Sequence, residues 1–112
     1  VAISAATGRS IYVSGQVGIR PEGIPDSVFM QAELAFMNLS KQLNDAPAHV
    51  DDVVKLNIYI KNMQPDRIQT VADAKAKCFK HQNQPAATWI GASELALPKL
   101  DAEIEAVAIT QS

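Results

Sequence analysis

The chain is predicted to be an α+β protein, a two-layer sandwich of order ββαβαββ in which one mixed sheet carries two helices on a single face. Three observations predict this. Residues 54–61 keep a two-residue period, residues 28–43 place apolar side chains at three- and four-residue steps, and a second helical stretch separates that strand from two more near the end. The length of 112 residues supplies one hydrophobic core and not two, so residues 1–112 read as a single domain.

Val1 to Ser4 form a short β-like stretch, and Ala5 to Ser10 supply turn chemistry, so the next strand closes a hairpin. In Ile11 to Ile19 the alternation puts Ile11, Val13, Gly15, Val17 and Ile19 on one face and Tyr12, Ser14 and Gln16 on the other. Gly15 gives up side-chain packing. Such a glycine marks either a bulge that merely twists the strand or a place where another group approaches the backbone closely. Arg20 to Asp26, with two prolines and a glycine, is a loop.

Asp26 or Ser27 caps the following helix, whose inward stripe is Val28, Ala32, Ala35, Phe36, Leu39 and Leu43. After Asn44 to Pro47 the period returns to two, with Val54, Leu56, Ile58 and Ile60 inward and Lys55, Asn57, Tyr59 and Lys61 outward. The second helix begins near Pro65 and Asp66, carries Ile68, Val71, Ala72, Cys78 and Phe79 inward, and ends around Lys80. Beyond the polar loop His81 to Gln84 lie two strands: Thr88 to Leu95, interrupted by Gly91, and Leu100 to Thr110. The sheet face away from the helices then carries Tyr12, Tyr59, Val107 and Ile109 besides Ser14, Gln16, Asn57, Glu103 and Glu105. That face is too apolar in part to stand in water, and a symmetric oligomer packing such faces together would cover it.

Composition narrows the function classes. A 47% hydrophobic and 20% charged chain is neither disordered nor fibrous, and a net charge of -2 without a dense basic patch gives no broad attraction for nucleic acid. No apolar run is long enough to span a membrane and no leader pattern opens the chain, so no membrane partner is expected and the expected location is the cytoplasm. Cys78, the one cysteine, fits a reducing compartment.

Val13-Ser14-Gly15-Gln16-Val17-Gly18 after a hairpin, Val50-Asp51-Asp52-Val53-Val54-Lys55, Gln84-Pro85-Ala86, Leu97-Pro98, and Ala102-Glu103-Ile104-Glu105-Ala106-Val107-Ala108 follow one another in the chain. In this order and spacing they resemble the Rid/YjgF family, also called reactive-intermediate deaminases and endoribonuclease L-PSP, over nearly the whole length. The resemblance implies a chorismate-mutase-like fold and a homotrimer with small-molecule clefts between neighbouring subunits. It also implies hydrolysis of enamines and imines to ketoacids and ammonia, with no cofactor and no metal. In the family the Ser14, Gly15 and Gln16 segment lies along the cleft.

Imine hydrolysis needs an activated water, proton transfer and a grip on the substrate carboxylate, for which a bidentate arginine is best suited. The family places that arginine directly after the Pro-Ala of the penultimate strand, where this chain has Ala87. The family's cysteine two positions on is matched by Trp89, its helix asparagine by Ala72, and its upstream tyrosine would precede Val1. Glu103 matches the family's last-strand glutamate. It is the candidate catalytic residue, positioning or activating water with Ser14, Gln16 or Thr88 as polar neighbours, or else it is an ordinary solvated or interface carboxylate. Arg20, just past the first long strand, is the candidate replacement cation or an ordinary loop arginine, with Lys61 and Lys99 behind it.

Other constellations fall away. Cys78 and His81 lack the further ligands a zinc ion needs, His49 is alone, and Gly15 and Gly18 lack both a Walker lysine and a three-glycine pattern. Glu103 and Glu105 share a strand face about 7 Å apart, but neighbours on one strand cannot flank a sugar from opposite sides. Three classes remain. The first is an enzyme deaminating a small enamine, imine or related carbonyl-conjugated metabolite, with altered substrate range; the second is a non-catalytic trimeric metabolite-binding protein. The third, an endoribonuclease or translation inhibitor, lacks an aromatic and basic platform.

Overall fold

The computed structural model describes residues 8–80 and 84–110, so the expected first strand at Val1 to Ser4 lies outside the described residues. The elements are β1 (Ser10–Gln16), α1 (Val28–Asp45), a 3₁₀ turn (Val50–Asp52), β2 (Val53–Lys61), α2 (Pro65–Cys78), β3 (Ala86–Ala92) and β4 (Ala102–Ile109). The strands form one sheet in the order β1-β4-β2-β3. β4 runs antiparallel to both its neighbours, whereas β2 and β3 are parallel, joined through α2 as a parallel pair requires. The architecture is the expected α+β one, and β1 and β3 are its two edges among the described residues.

α1 starts where Ser27, one of the two expected caps, accepts a 3.2 Å hydrogen bond from the Met30 amide. Its stripe of Ala32, Ala35, Phe36, Leu39 and Leu43 is buried. α2 has Pro65 in its first turn, where a missing amide hydrogen costs nothing, and buries Val71 and Ala74. It ends at Cys78 and not Lys80; Phe79, just beyond, meets the Phe36 ring edge-on at 6.0 Å. Both stripes pack on Leu56, Ile58 and Ile60 of β2 and Ala102, Ile104, Ala106 and Ala108 of β4. No helix of the described residues is long and apolar enough to cross a membrane.

Two register shifts change the expected faces. In β2 the pairing steps from Val53 to Lys55 while β4 advances by one residue, so Val53 is buried and not Val54. In β1 Val13 pairs with Ala106 and Gln16 with Ile104, so Ser14 and Gly15 together stand opposite Glu105 alone. The extra residue inverts the alternation. Gly15 moves to the open face of the sheet, and Gln16 comes into register with the core position Ile104, the reverse of the sequence expectation. Strand β1 then ends early, and Gly18 turns under α1: a side-chain carbon there would lie 2.5 Å from the Gln31 carbonyl oxygen. Gly91 does not interrupt β3, whose ladder with β2 continues to Ala92.

Gln31 is the one buried amide side chain of α1. Its Nε2 donates to the carbonyls of Pro25 (2.9 Å) and Lys99 (3.1 Å) and to Asp101 Oδ2 (3.2 Å), while its Oε1 accepts from the Asp101 amide (2.8 Å). Asp101 also pairs with Arg67 at 3.0 Å. The loops before α1 and before β4 are thereby tied to one helix, which fixes where Glu103 and Glu105 emerge.

Candidate functional site on the open sheet face

The face of the sheet away from the helices carries the chemistry. β4 alternates buried alanine and isoleucine with half-buried Glu103, Glu105, Val107 and Ile109, so both carboxylates point to this face. Tyr59 of β2 pairs with Glu103, and Asn57 pairs with Glu105 on one side and Thr88 of β3 on the other.

Glu103 lies over the β1 bulge. A side-chain carbon at residue 15 would come within 2.5 Å of Glu103 Oε1 and 2.6 Å of its carboxyl carbon, so Gly15 makes the space that this carboxylate occupies. No hydrogen bond or ion pair engages the Glu103 carboxylate among the described residues. Ser14 is exposed on the bulge and lines, together with Glu105, the depression between β1 and β2.

Glu105 is held differently. Asn57 Nδ2 donates to its Oε1 at 2.8 Å and the Tyr59 hydroxyl donates to the same oxygen at 2.6 Å. These two donors, the Tyr59 hydroxyl foremost, hold the Glu105 carboxyl below the usual carboxylate value, with partial burial opposing them. Reciprocally, the Glu105 bond, then burial and the charges of Glu105 and Glu103, push the Tyr59 phenol up. Between β1 and β2 the face sinks into a depression of about 310 Å³ whose walls include Tyr12, Ser14, Lys55, Asn57, Glu105 and Val107. The Lys55 ammonium donates to Thr88 Oγ1 across the β2–β3 pair.

The sequence-expected residues are therefore distributed. Ser14, Gly15 and Glu103 come together at the β1 bulge, and Thr88 shares the open face through Lys55. Gln16 folds back onto the Ser14 carbonyl at 3.1 Å. Ala87 pairs with Leu56 and is exposed on the edge strand, and Trp89 pairs with Ile58 and packs against the core, so neither shares a face with Glu103. Arg20 closes a turn with Gly23 and lies 3.1 Å from Glu22, outside the depression. Arg9 binds the carbonyls of Ala46 and Pro47. Arg67 is the Asp101 partner, and Lys61 reaches the Pro98 carbonyl at 2.6 Å. Lys55 is the cation that lines the depression, a role the sequence reading missed although the outward alternation of β2 had placed it on this face.

Away from this face, burial pushes the Cys78 thiol up to about 11 against the smaller opposing effect of Lys75, so it is a poor nucleophile. Nδ1 of His49 accepts from the Asp51 amide as the cap of the 3₁₀ turn. No three metal-binding side chains converge among the described residues.

The fold recurs in known proteins. A Rid-family protein of unknown function, YyfB from Yersinia pestis, superposes with a TM-score of 0.86 at 31% identity, covering 97% of this chain and 84% of that one. The yeast protein MMF1, named as mitochondrial, is 30% identical over 104 residues, 91% of this chain and 69% of that protein. A 2-iminobutanoate/2-iminopropanoate deaminase of Dermatophagoides farinae is 30% identical over 108 residues, 93% of this chain and 80% of that protein. The family model described as Endoribonuclease L-PSP matches residues 2–110. Together with the sheet order and the open-face carboxylates, these matches place the chain in the Rid/YjgF, or endoribonuclease L-PSP, family.

Proposed function

We propose that this protein hydrolyses a small enamine, imine or related carbonyl-conjugated compound at a cleft between subunits, with a substrate range shifted away from imines of ordinary amino acids. The observation that carries the reading is the Glu103 carboxylate above Gly15, which forms no hydrogen bond or ion pair among the described residues. Glu103 takes a proton from water as the oxygen adds to the C=N carbon. That proton is returned to nitrogen to give the carbinolamine; Glu103 then carries the carbinolamine hydroxyl proton to nitrogen, and as the C–N bond breaks ammonia leaves and the carbonyl forms. No metal or cofactor enters these steps.

The altered range follows from Ala87, which offers no charge to a substrate carboxylate where the family resemblance leads one to expect arginine. A homotrimer is supported by where the residues stand. Ser14 and Gly15 lie on one sheet edge and Ala87 and Thr88 on the other, separated by three strand spacings, about 14 Å. One small substrate reaches both sets only where the β1 edge of one copy meets the β3 edge of the next, a head-to-tail contact that closes into a ring. With the open faces turned toward the ring axis, Tyr12, which is 78% exposed, would be covered. Light scattering should then give a trimer, and a monomer would contradict the reading. The chemistry is the same in the cytoplasm, the expected location, as in a mitochondrion.

The test is ammonia release from imines and enamines with and without a carboxylate. Carboxylate-free compounds should be turned over, and Glu103→Gln should slow this about a hundredfold or more. If no compound is turned over yet one binds at the cleft, with the same affinity after Glu103→Gln, the second reading, a metabolite-binding protein, is favoured. A nuclease reading finds no support in a depression lined by one lysine and one carboxylate.

A further inference from the structure

The helix layer, across the sheet from Glu103, carries a groove of about 330 Å³ between α1 and α2. α1 lines it with Glu33, Phe36, Met37 and Ser40, which recur at three- and four-residue steps, and α2 lines it with Ala74, Lys77 and Cys78. Phe36 and Ala74 are 2% and 1% exposed, so the groove reaches down to the core. Two sulfur-bearing side chains join the Phe36 ring. Met37 is 61% exposed, and Cys78, whose thiol burial keeps protonated, behaves as a small polarisable apolar group. The two charged groups of the lining neutralise each other: Lys77 Nζ lies 3.0 Å from Glu33 Oε2, and the same ammonium is 5.1 Å from the centre of the Phe29 ring. Ser40 is half-buried, and its hydroxyl forms no hydrogen bond among the described residues. Glu33 and Ser40 are two turns apart on α1, so about 10 Å of helix separates the ion pair from the hydroxyl.

We propose that this groove is a binding site for a small neutral aromatic molecule with one hydroxyl, a phenol or aryl alcohol, its ring against Phe36, Met37 and Cys78 and its hydroxyl on Ser40. Each property of the ligand follows from one feature of the lining. The volume is at the small end for ligand sites, which limits the occupant to a single ring. A phenyl edge and two sulfurs favour an aromatic ring over an aliphatic one. An anion would have to displace Glu33 from Lys77, and a cation Lys77 from Glu33, so a charged ligand must break a pair already made. The Ser40 hydroxyl both donates and accepts, and a ligand hydroxyl answers either way. The open sheet face and the two sheet edges form the proposed ring, so the helix layer stays accessible in it. The site does not rest on the hydrolytic reading, since its occupant does not react.

Amide NMR on the full chain, titrated with phenol, cyclohexanol and benzoate, tests it. Phenol should bind at millimolar concentrations and shift the signals of Met37, Ser40, Ala74 and Cys78, while those of Asn57 and Glu105 on the open face stay in place. Cyclohexanol should bind at least about threefold more weakly, and benzoate at least about tenfold. Ser40→Ala and Met37→Ala, both outside the core, should each weaken phenol binding about three- to tenfold with the fold retained. No shift of the groove signals at tens of millimolar phenol, shifts confined to the open face, benzoate or cyclohexanol binding as tightly as phenol, or unchanged affinity in either variant would each overturn the proposal.

Discussion

Gly15 and Glu103 occupy one space: the glutamate carboxyl group fills the volume that a side chain at residue 15 would need, with Oε1 2.5 Å from the position of a β-carbon. Gly15→Ala therefore displaces a flexible carboxylate tip into open surroundings and should change stability by less than about 1 kcal/mol. It should nevertheless remove most of any hydrolytic activity, because the carboxylate is moved. Gly18→Ala is the contrasting case. There the new carbon would meet the Gln31 carbonyl oxygen at 2.5 Å and its Cα at 2.6 Å, helix backbone that cannot swing aside, and a loss of about 1–3 kcal/mol is expected. Urea unfolding beside an ammonia-release assay separates the two. Equal stability losses would show that Gly15 is a backbone requirement and not a space for Glu103.

Residue 87 offers a gain-of-function test. It is exposed on the edge strand, so a long side chain can be added without entering the core. Wild type should act poorly on carboxylate-bearing imines, and Ala87→Arg should raise kcat/KM on them by one to two orders of magnitude, since a hydrogen bond to a charged group contributes about 1.5–3 kcal/mol. Activity on carboxylate-free compounds should stay level. Full wild-type activity on amino-acid imines would remove the stated reason for the altered range.

Much of the fold was legible because it rests on periodicity. The α1 stripe and the alternation of β4 follow from residue spacing alone, and the structure repeats them; of the two expected caps, Asp26 and Ser27, it uses Ser27. What the sequence could not carry is register. Strict alternation assigns Gly15 to the core face and Gln16 to the open face; one extra residue between Val13 and Gln16 exchanges them, and although Gly15 marked a possible bulge, Ser-Gly-Gln alone does not say that the strand gains a residue there. The same holds for Lys55, Asn57 and Tyr59, whose outward direction was plain but whose alignment with Glu105 and Thr88 depends on how β2 pairs with strands distant in the chain. Family resemblance supplied Glu103 as a candidate. It did not point to the better-anchored carboxylate two residues away.

The Tyr59–Glu105 bond makes a pH-dependent contribution whose sign is fixed. Glu105 is held below its ordinary value, so its stabilising effect is present above that value and is lost as pH falls through the depressed one. Tyr59 is raised, so its part is present below the ordinary phenol value and is lost as pH rises through the raised one. Tyr59→Phe should therefore lower the urea midpoint at neutral pH, and the gap from wild type should narrow both in acid below the usual carboxylate range and in strong alkali. In this variant the alkaline phenolate absorbance should lose the contribution of Tyr59, whose phenol is held above its ordinary value. A midpoint difference constant from acid to alkali would show that the phenol contributes packing alone.

Gln31 is 1% exposed, and its amide meets four polar groups from two segments of chain, the loops before α1 and before β4. Gln31→Met keeps the volume and the helix propensity, so packing alone predicts little change. The hydrogen bonds predict otherwise. The Asp101 amide and the carbonyls of Pro25 and Lys99 would lose their partner in a buried setting, at about 1–3 kcal/mol for each group left unsatisfied. A fall of at least about 2 kcal/mol with an unchanged urea slope is expected. The loop that delivers β4 would also loosen, so amide hydrogen exchange at Asp101 and Ala102 should quicken more than at Leu39 in the middle of α1, and Glu103 should lose its fixed position above Gly15. Uniform acceleration across the chain would instead mean that Gln31 contributes only global stability and does not set where the carboxylates of β4 emerge.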